Sequence, residues 1–347
     1  MDCVKMEAKA ERNKTLDFAK GIAIILMVIG HCYSKENFVL TLIYGFHMPL
    51  FFMISGTIYR EKIYANEQYR FHVPKIVLRY MKPYYIYCVL FSAFVLALRV
   101  LGGRVDVLAE CVNYLWKIFS LQGISSLWYL PCLLLAELIF ICVYRLRRIL
   151  LLPVGICAYL IALLIPVDGI LVVLWRSFIG LGFLVFGFYI PPTVEKIKEK
   201  VSISNSLVAF TGACVFVLYL IVALKNGMVT LVELRFNNSL LYSVSAVLGS
   251  ILLLLLSWLV ESNVRARWTE NIAYLGRKTL FVLTIHLFLI EIIRLLDYKV
   301  SGGLLPKLGL LEGIVFGALV CAIICMLLML RDGIRRNQTK KGRYAMR

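Results

Sequence analysis

The sequence predicts an all-α, polytopic membrane protein with about ten transmembrane helices and both termini on the cytoplasmic side. Three observations carry that prediction. The first is composition: the 347 residues are 61% apolar and only 17% charged, with a mean hydropathy of +0.85. Soluble domains hold at most about half apolar and about a quarter charged residues. The second is that apolar runs near twenty residues recur from end to end. Each can cross a hydrocarbon layer about 30 Å thick as a helix. The runs lack the period-two alternation of barrel strands, which leaves the helix as the spanning structure that satisfies its own backbone.

The third observation is the distribution of charge. The formal net charge is +18, which in a soluble protein would suggest nucleic acid. Here the cations sort by side instead. Spans are read at 16–34, 38–59, 83–101, 126–144, 149–167, 170–190, 205–224, 239–260, 279–297 and 311–330. Alternate connections collect Lys5, Lys9, Arg12 and Lys14, then Arg60, Lys62, Arg70, Lys75, Arg79 and Lys82. The same side holds Arg145, Arg147, Arg148, Lys196, Lys198, Lys200, Arg265, Arg267, Arg277 and Lys278, and a basic tail from Arg331 to Arg347. The other side holds Lys35, Arg99, Arg104, Lys117, Lys225, Arg235, Lys299 and Lys307, most of them in longer loops. This is the positive-inside asymmetry, and one helix more or fewer would scramble it. The charge is explained by topology, with membrane lipids as partners and no nucleic acid.

The chain divides into a cytoplasmic segment 1–15, one transmembrane domain over 16–330 and a basic cytoplasmic tail 331–347. The opening residues are polar and the first apolar run lacks a small-residue cleavage site, so an uncleaved first helix is expected. Within 60–82, tyrosines and valines interleave with the cations, which predicts an amphipathic stretch lying on the cytoplasmic face. Pro191-Pro192 marks the clearest internal hinge. The ten cysteines include no C-x-x-C pair, and Cys321 and Cys325 have no histidine near them. They read as packing residues, and no metal site is legible.

Ionisable residues inside spans are costly unless they face a cavity or a partner. The set here is Asp17, Lys20, His31, His47, Glu137, Arg176, His286, Glu291 and Arg294. Glu291 and Arg294 are spaced to pair with each other, and Glu137 can be a packing acid. The first helix is more pointed. Lys20 and His31 are eleven residues apart, about three turns, so they share a face, and Asp17 lies one turn below Lys20. One stripe thus presents carboxylate, ammonium and imidazole over roughly 20 Å of depth. Imidazole suits proton transfer near neutral pH, while the bland reading of His31 is an interfacial histidine. In the second span, His47 precedes Pro49 by two residues, placing a polar ring beside a kink with freed carbonyls. The short 34–37 turn makes the two helices neighbours, so His31 and His47 can face one cavity.

LDFAKGIAIILMVIGHC (16–32) and FHMPLFFMISG (46–56) resemble the acyltransferase-3 family of integral membrane acyltransferases, in its fucose O-acetylase-like branch. The family pattern places a basic residue, ten residues and then histidine, which Lys20 and His31 satisfy. Lysine here stands where many members have arginine, so it acts as a point charge and not as a bidentate fork. Similarity continues at SLWYLPCLL (126–134), RSFIGLGFLVFGFYI (176–190) and LGRKTLFVLTIHLFLI (275–290), which contains His286. It covers the chain from about Asn13 to the last span.

The resemblance implies an O-acyltransferase of the bacterial cytoplasmic membrane. It would take an acyl group, usually acetyl, from cytoplasmic acyl-CoA as donor. The acceptor would be a hydroxyl of an extracytoplasmic or lipid-linked saccharide. Many relatives carry an extra extracytoplasmic domain, and this chain reads as a stand-alone version. In that reading His31 is the general base, Lys20 stabilises donor charge and Asp17 orients Lys20. An acetyl-histidine route and direct transfer both fit. His47, Trp128, Tyr129, Arg176 and His286 are candidate substrate contacts, and Lys20, Arg60, Lys62, Arg79 and Lys82 are candidate CoA contacts. The rival reading is a transporter or flippase for a polysaccharide or its lipid-linked precursor, which ten helices with intramembrane charges also suit. Dependence on acyl-CoA separates the two. The sequence is silent on oligomeric state.

Overall fold

The structure is a computed structural model that describes residues 13–66, 69–103, 106–200 and 204–344, without the side chains of 191–200 and 334–344. Lys5, Lys9, Arg12, Arg104 and Arg347 lie outside the described residues, as do the side chains of Lys196, Lys198, Lys200 and of the tail beyond Gly333. Among the described residues the regular elements are helices. Five run from the α1 start side of the bundle: α1 (Lys14–Cys32), α4 (Val73–Leu101), α7 (Leu151–Leu164), α9 (Asn205–Asn226) and α12 (Thr279–Ser301). The return crossings are α2 (Phe38–Tyr44) with α3 (His47–Ala65), α6 (Tyr129–Leu146), α8 (Val172–Lys200), α10 (Ser239–Asn263) and α13 (Glu312–Tyr344). Two short helices do not cross: α5 (Val107–Phe119) and α11 (Arg267–Arg277).

Side-chain oxygens start many of these helices, because the first backbone N–H groups have no intrahelical partner. Asn13 accepts from the N–H of Leu16, Asn37 from Leu40, Asp106 from Leu108 and Ala109, Ser204 from Leu207, and Asn238 from Leu240 and Leu241. The second span is broken between α2 and α3 at Gly45-Phe46. Pro49 falls in the first turn of α3, where a missing N–H costs little.

Nine helical stretches among the described residues are long and apolar enough to span; the tenth predicted crossing corresponds to the shorter apolar stretch Arg148–Leu164. Its neighbours show that it crosses. The Arg176 guanidinium lies 5.4 Å from the Trp128 ring centroid, and Phe188 meets Phe140 at 5.3 Å, so α6 and α8 run parallel. The chain must therefore return between them. It does so on α7, whose Gly155 faces Val185 and whose Tyr159 faces Gly182, antiparallel to α8.

The tightest seam joins α3 to α8. A β-carbon on Gly56 would collide with the Leu184 carbonyl oxygen, and one on Gly187 with the Met53 carbonyl oxygen. Thr57 Oγ1 crosses the seam to the Gly187 carbonyl at 2.9 Å. Small residues serve this purpose in membranes because helix association there rests on close packing.

Two expectations are corrected. The basic stretch 60–82 is not a separate surface element: α3 continues to Ala65 and α4 begins at Val73, so its cations sit on the ends of two long helices. Their apolar neighbours Tyr59, Phe71, Ile76 and Tyr80 are buried, which draws both helices past the expected interface. Pro191-Pro192 does not interrupt α8, whose backbone stays helical to Lys200. The seam predicts that Gly56→Val lowers the unfolding temperature of detergent-solubilised protein by overpacking, at about 1–3 kcal/mol or more. Gly212→Ala, at a position with open space around it, should leave it unchanged.

Candidate active site

Lys20, Ile24, Met27 and His31 fall on one face of α1, and that face lines two cavities. The one nearer the α1 start, about 250 Å³, is lined by Lys20, Arg79, Ser55, Tyr80 and Tyr129. The one nearer the α1 end, about 100 Å³, is lined by His31, Tyr44, His47, Ser126, Trp128 and Thr230. Met27, Met48 and Leu283 line both and form their common wall.

Three histidines gather at the smaller cavity. The His31 ring lies 5.2 Å from His286 and 6.4 Å from Tyr44, and Tyr44 lies 5.1 Å from His47. His47 Nδ1 is 2.8 Å from the Ile43 carbonyl, which at the α2–α3 break also accepts from the Phe46 N–H at 3.4 Å. His286 Nδ1 is 3.0 Å from the carbonyls of Val282 and Leu283. A carbonyl only accepts, so both Nδ1 atoms carry the proton and both Nε2 atoms present a lone pair. His286 Nε2 is buried without a partner. Two turns along the same helix, Arg294 donates to the carbonyls of His31, Cys32 and Tyr33 at 3.2–3.4 Å. It thereby caps α1, and α12 holds His31 both beside its ring and at its backbone. Glu291 lies 3.8 Å from Arg294.

The other candidates separate. Asp17 is buried and pairs with Lys20 at 2.8 Å, wedged against α11, where Gly276 allows contact with the Asp17 backbone. Glu137 accepts from Tyr59 at 2.6 Å and Tyr80 at 2.8 Å, which braces the wall of the larger cavity. Trp128 faces the histidine cavity, whereas Tyr129 faces the larger one and packs on Phe52. Of the other cations singled out as CoA contacts, Arg79 lines the larger cavity with Lys20. Arg60 covers the Tyr64 ring at 4.2 Å, Lys62 lies 5.9 Å from the Tyr59 ring, and Lys82 is exposed.

Arg176 lines neither cavity. Its guanidinium donates to the carbonyls of Gln122, at 3.3 Å, and of Val232. Those carbonyls belong to two loops at the outer end of the histidine cavity, 120–126 and 229–238. Each loop holds non-glycine residues in the left-handed region: Leu121 and Ser125 at φ 60° and 51°, Leu234 and Asn237 at φ 53° and 55°. Such residues cost about 1–3 kcal/mol each and persist where the surroundings over-determine them. One buried cation therefore latches both strained loops. Tyr44 and Ser126 join the cavity without having been singled out in the sequence. Tyr44 sits three residues before His47, a helical spacing that offered a clue, whereas Ser126 offered none.

A family model described as an acyltransferase domain, acyltransferase-3, matches residues 13–330. The nodulation protein NolL of Sinorhizobium fredii is 32% identical over 146 residues, covering 34% of this chain and 40% of NolL. The matched stretch thus spans well under half of that relative's length. No solved structure matches. Arg176→Met should remove both latch bonds, and hydrogen bonds to a charged group contribute about 1.5–3 kcal/mol each. The expected outcome is a lower unfolding temperature and faster proteolysis within 120–126 and 229–238. Unchanged cleavage would show that the loops hold without it.

Proposed function

The chain belongs to the acyltransferase-3 family and is an acyltransferase, and on that premise we propose that it transfers an acetyl group from cytoplasmic acetyl-CoA to a saccharide hydroxyl. The saccharide is a cell-surface or lipid-linked one, and the membrane is the bacterial cytoplasmic membrane. The observation that carries this reading is the single face of α1 that runs from Lys20 in one cavity to His31 in the next. Eleven residues of helix give a path of about 16 Å through the membrane. Lys20 and Arg79 supply two cations to the larger cavity, the chemistry a phosphate-bearing donor needs on the cytoplasmic side. The imidazole at the far end supplies a base.

In this mechanism the thioester passes the Met27–Met48–Leu283 wall and lies beside His31. The saccharide hydroxyl reaches the same cavity from beneath the two latched loops. His31 takes the hydroxyl proton as the oxygen attacks the carbonyl carbon, forming the new C–O bond. Collapse of the tetrahedral intermediate breaks the C–S bond, and the CoA sulfur leaves with the proton from the imidazolium. His286, with its lone pair turned to a buried position beside His31, is suited to hold the imidazole in one tautomer. Asp17 holds the Lys20 ammonium in place.

Labelled acetyl-CoA supplied to membrane vesicles tests this reading. Wild type should label an envelope saccharide, and His31→Ala should lower the rate by about 10²–10⁴-fold. Lys20→Ala should act mainly on the KM for acetyl-CoA. Equal labelling by wild type and His31→Ala would remove His31 from the chemistry while retaining the enzyme.

A further inference from the structure

Ser126 sits in the 3₁₀ turn Ser125–Trp128 that leads into α6, and it lines the histidine cavity. The residue is 5% exposed, and its hydroxyl has no hydrogen-bond partner. Buried hydroxyls are nearly always paired, and one left unpaired is destabilising, so its presence beside a reactive cavity calls for an explanation.

The polar groups around the cavity sort by what they can offer. His47 and the neighbouring His286 have spent their Nδ1 protons on main-chain carbonyls and present only lone pairs. The Thr230 hydroxyl donates to Glu233 at 3.1 Å. Apart from the one N–H of His31, the side-chain donors that remain on the lining are the hydroxyls of Ser126 and Tyr44 and the Trp128 indole N–H. The proposed reaction creates one species that requires donors. As the acceptor oxygen adds to the thioester, the carbonyl π pair moves onto oxygen and an oxyanion forms.

We propose that Ser126 is a catalytic residue whose hydroxyl donates a hydrogen bond to the acyl carbonyl oxygen as its negative charge develops, with Tyr44 as a second donor. This assignment rests on the acyl-CoA reading above. No proton leaves Ser126: the C–O bond forms, the electron pair rests on the oxyanion, and it returns as the C–S bond breaks. The hydroxyl is left unpaired in the free protein because its partner exists only during the reaction. That is the preorganisation by which one oxyanion donor contributes about 10²–10³-fold to rate.

The test uses full-length protein in lipid nanodiscs and two unreactive CoA compounds, with wild type, Ser126→Ala and Ser126→Thr compared by calorimetry. One compound is a CoA trifluoromethyl ketone, which hydrates to a tetrahedral mimic. The other is the S-ethyl thioether, which has no carbonyl. Ser126→Ala should weaken the ketone about ten- to hundredfold and leave the thioether within about twofold. Its unfolding temperature should not fall, because the substitution removes a buried hydroxyl that has no partner. Ser126→Thr, which keeps a hydroxyl, should retain most of the ketone affinity. Equal ketone affinity in wild type and Ser126→Ala overturns the assignment. So does parallel loss of both compounds with a lowered unfolding temperature. If wild type binds neither compound, the acyl-CoA reading falls, and the role of Ser126 falls with it.

Discussion

At Gly56 and Gly187 the backbones of α3 and α8 touch, with no room for a side chain between them. Backbone contact of this kind cannot slide, because each glycine is a notch that fits one opposing carbonyl. It therefore fixes the register of two parallel helices that carry different parts of the site. His47 lies at the outer end of α3 and Arg176 near the outer end of α8. With the register set, the histidine cavity and the cation that latches its two covering loops arrive at the same depth. A second seam does similar work on α1, where Gly21 and Gly276 let α11 press on the backbone around Asp17 and Lys20. The Lys20 end of the cavity-lining face of α1 is thereby anchored against neighbouring backbone.

Lipid imposes the second rule, since a polar group inside the bundle has no water to turn to. Most of the buried polar groups here obey it in pairs: Glu137 with Tyr59 and Tyr80, Asn226 with the Phe236 carbonyl, Glu312 with Ser34. Three of the six exceptions among the described residues lie together. His286 Nε2, Ser126 Oγ and Arg176 Nε all lack partners, and all three residues lie in or beside the histidine cavity. Tyr242 Oη, Ser250 Oγ and Arg331 Nε are the others, and none of those three residues lines that cavity.

Much of this was legible in the sequence. The spans follow from hydropathy and charge, and the Lys20–His31 stripe follows from helical period, because both depend on neighbours along the chain. The resemblance carried by the first two spans agrees with the matched family. What stayed hidden depends on contacts between distant segments. His286 could be seen as an intramembrane histidine, but its place against His31 is set by how α12 packs on α1. Arg176 reads from the sequence as a substrate contact or as half of a salt bridge; in the fold its guanidinium donates to two main-chain carbonyls. Ser126 is an ordinary serine until the turn around it folds. The 60–82 stretch misled because its tyrosines alternate with cations as on a surface helix, whereas Tyr80 and Tyr59 turn inward to Glu137.

The shortness of α7 has a mechanical consequence. Its 14 residues rise about 21 Å, against a hydrocarbon layer of about 30 Å. Beside that flank the bilayer must thin, or the apolar turns at either end of α7 must stretch to meet it. The outer of these, Gly169–Leu171, is tied to the cavity's cover, since Gln122 donates its side-chain amide to the Gly169 carbonyl at 3.3 Å. A thicker membrane would thus pull on the same loop that Arg176 holds down. Bilayer thickness is thereby coupled, through one short helix, to a loop that covers the histidine cavity.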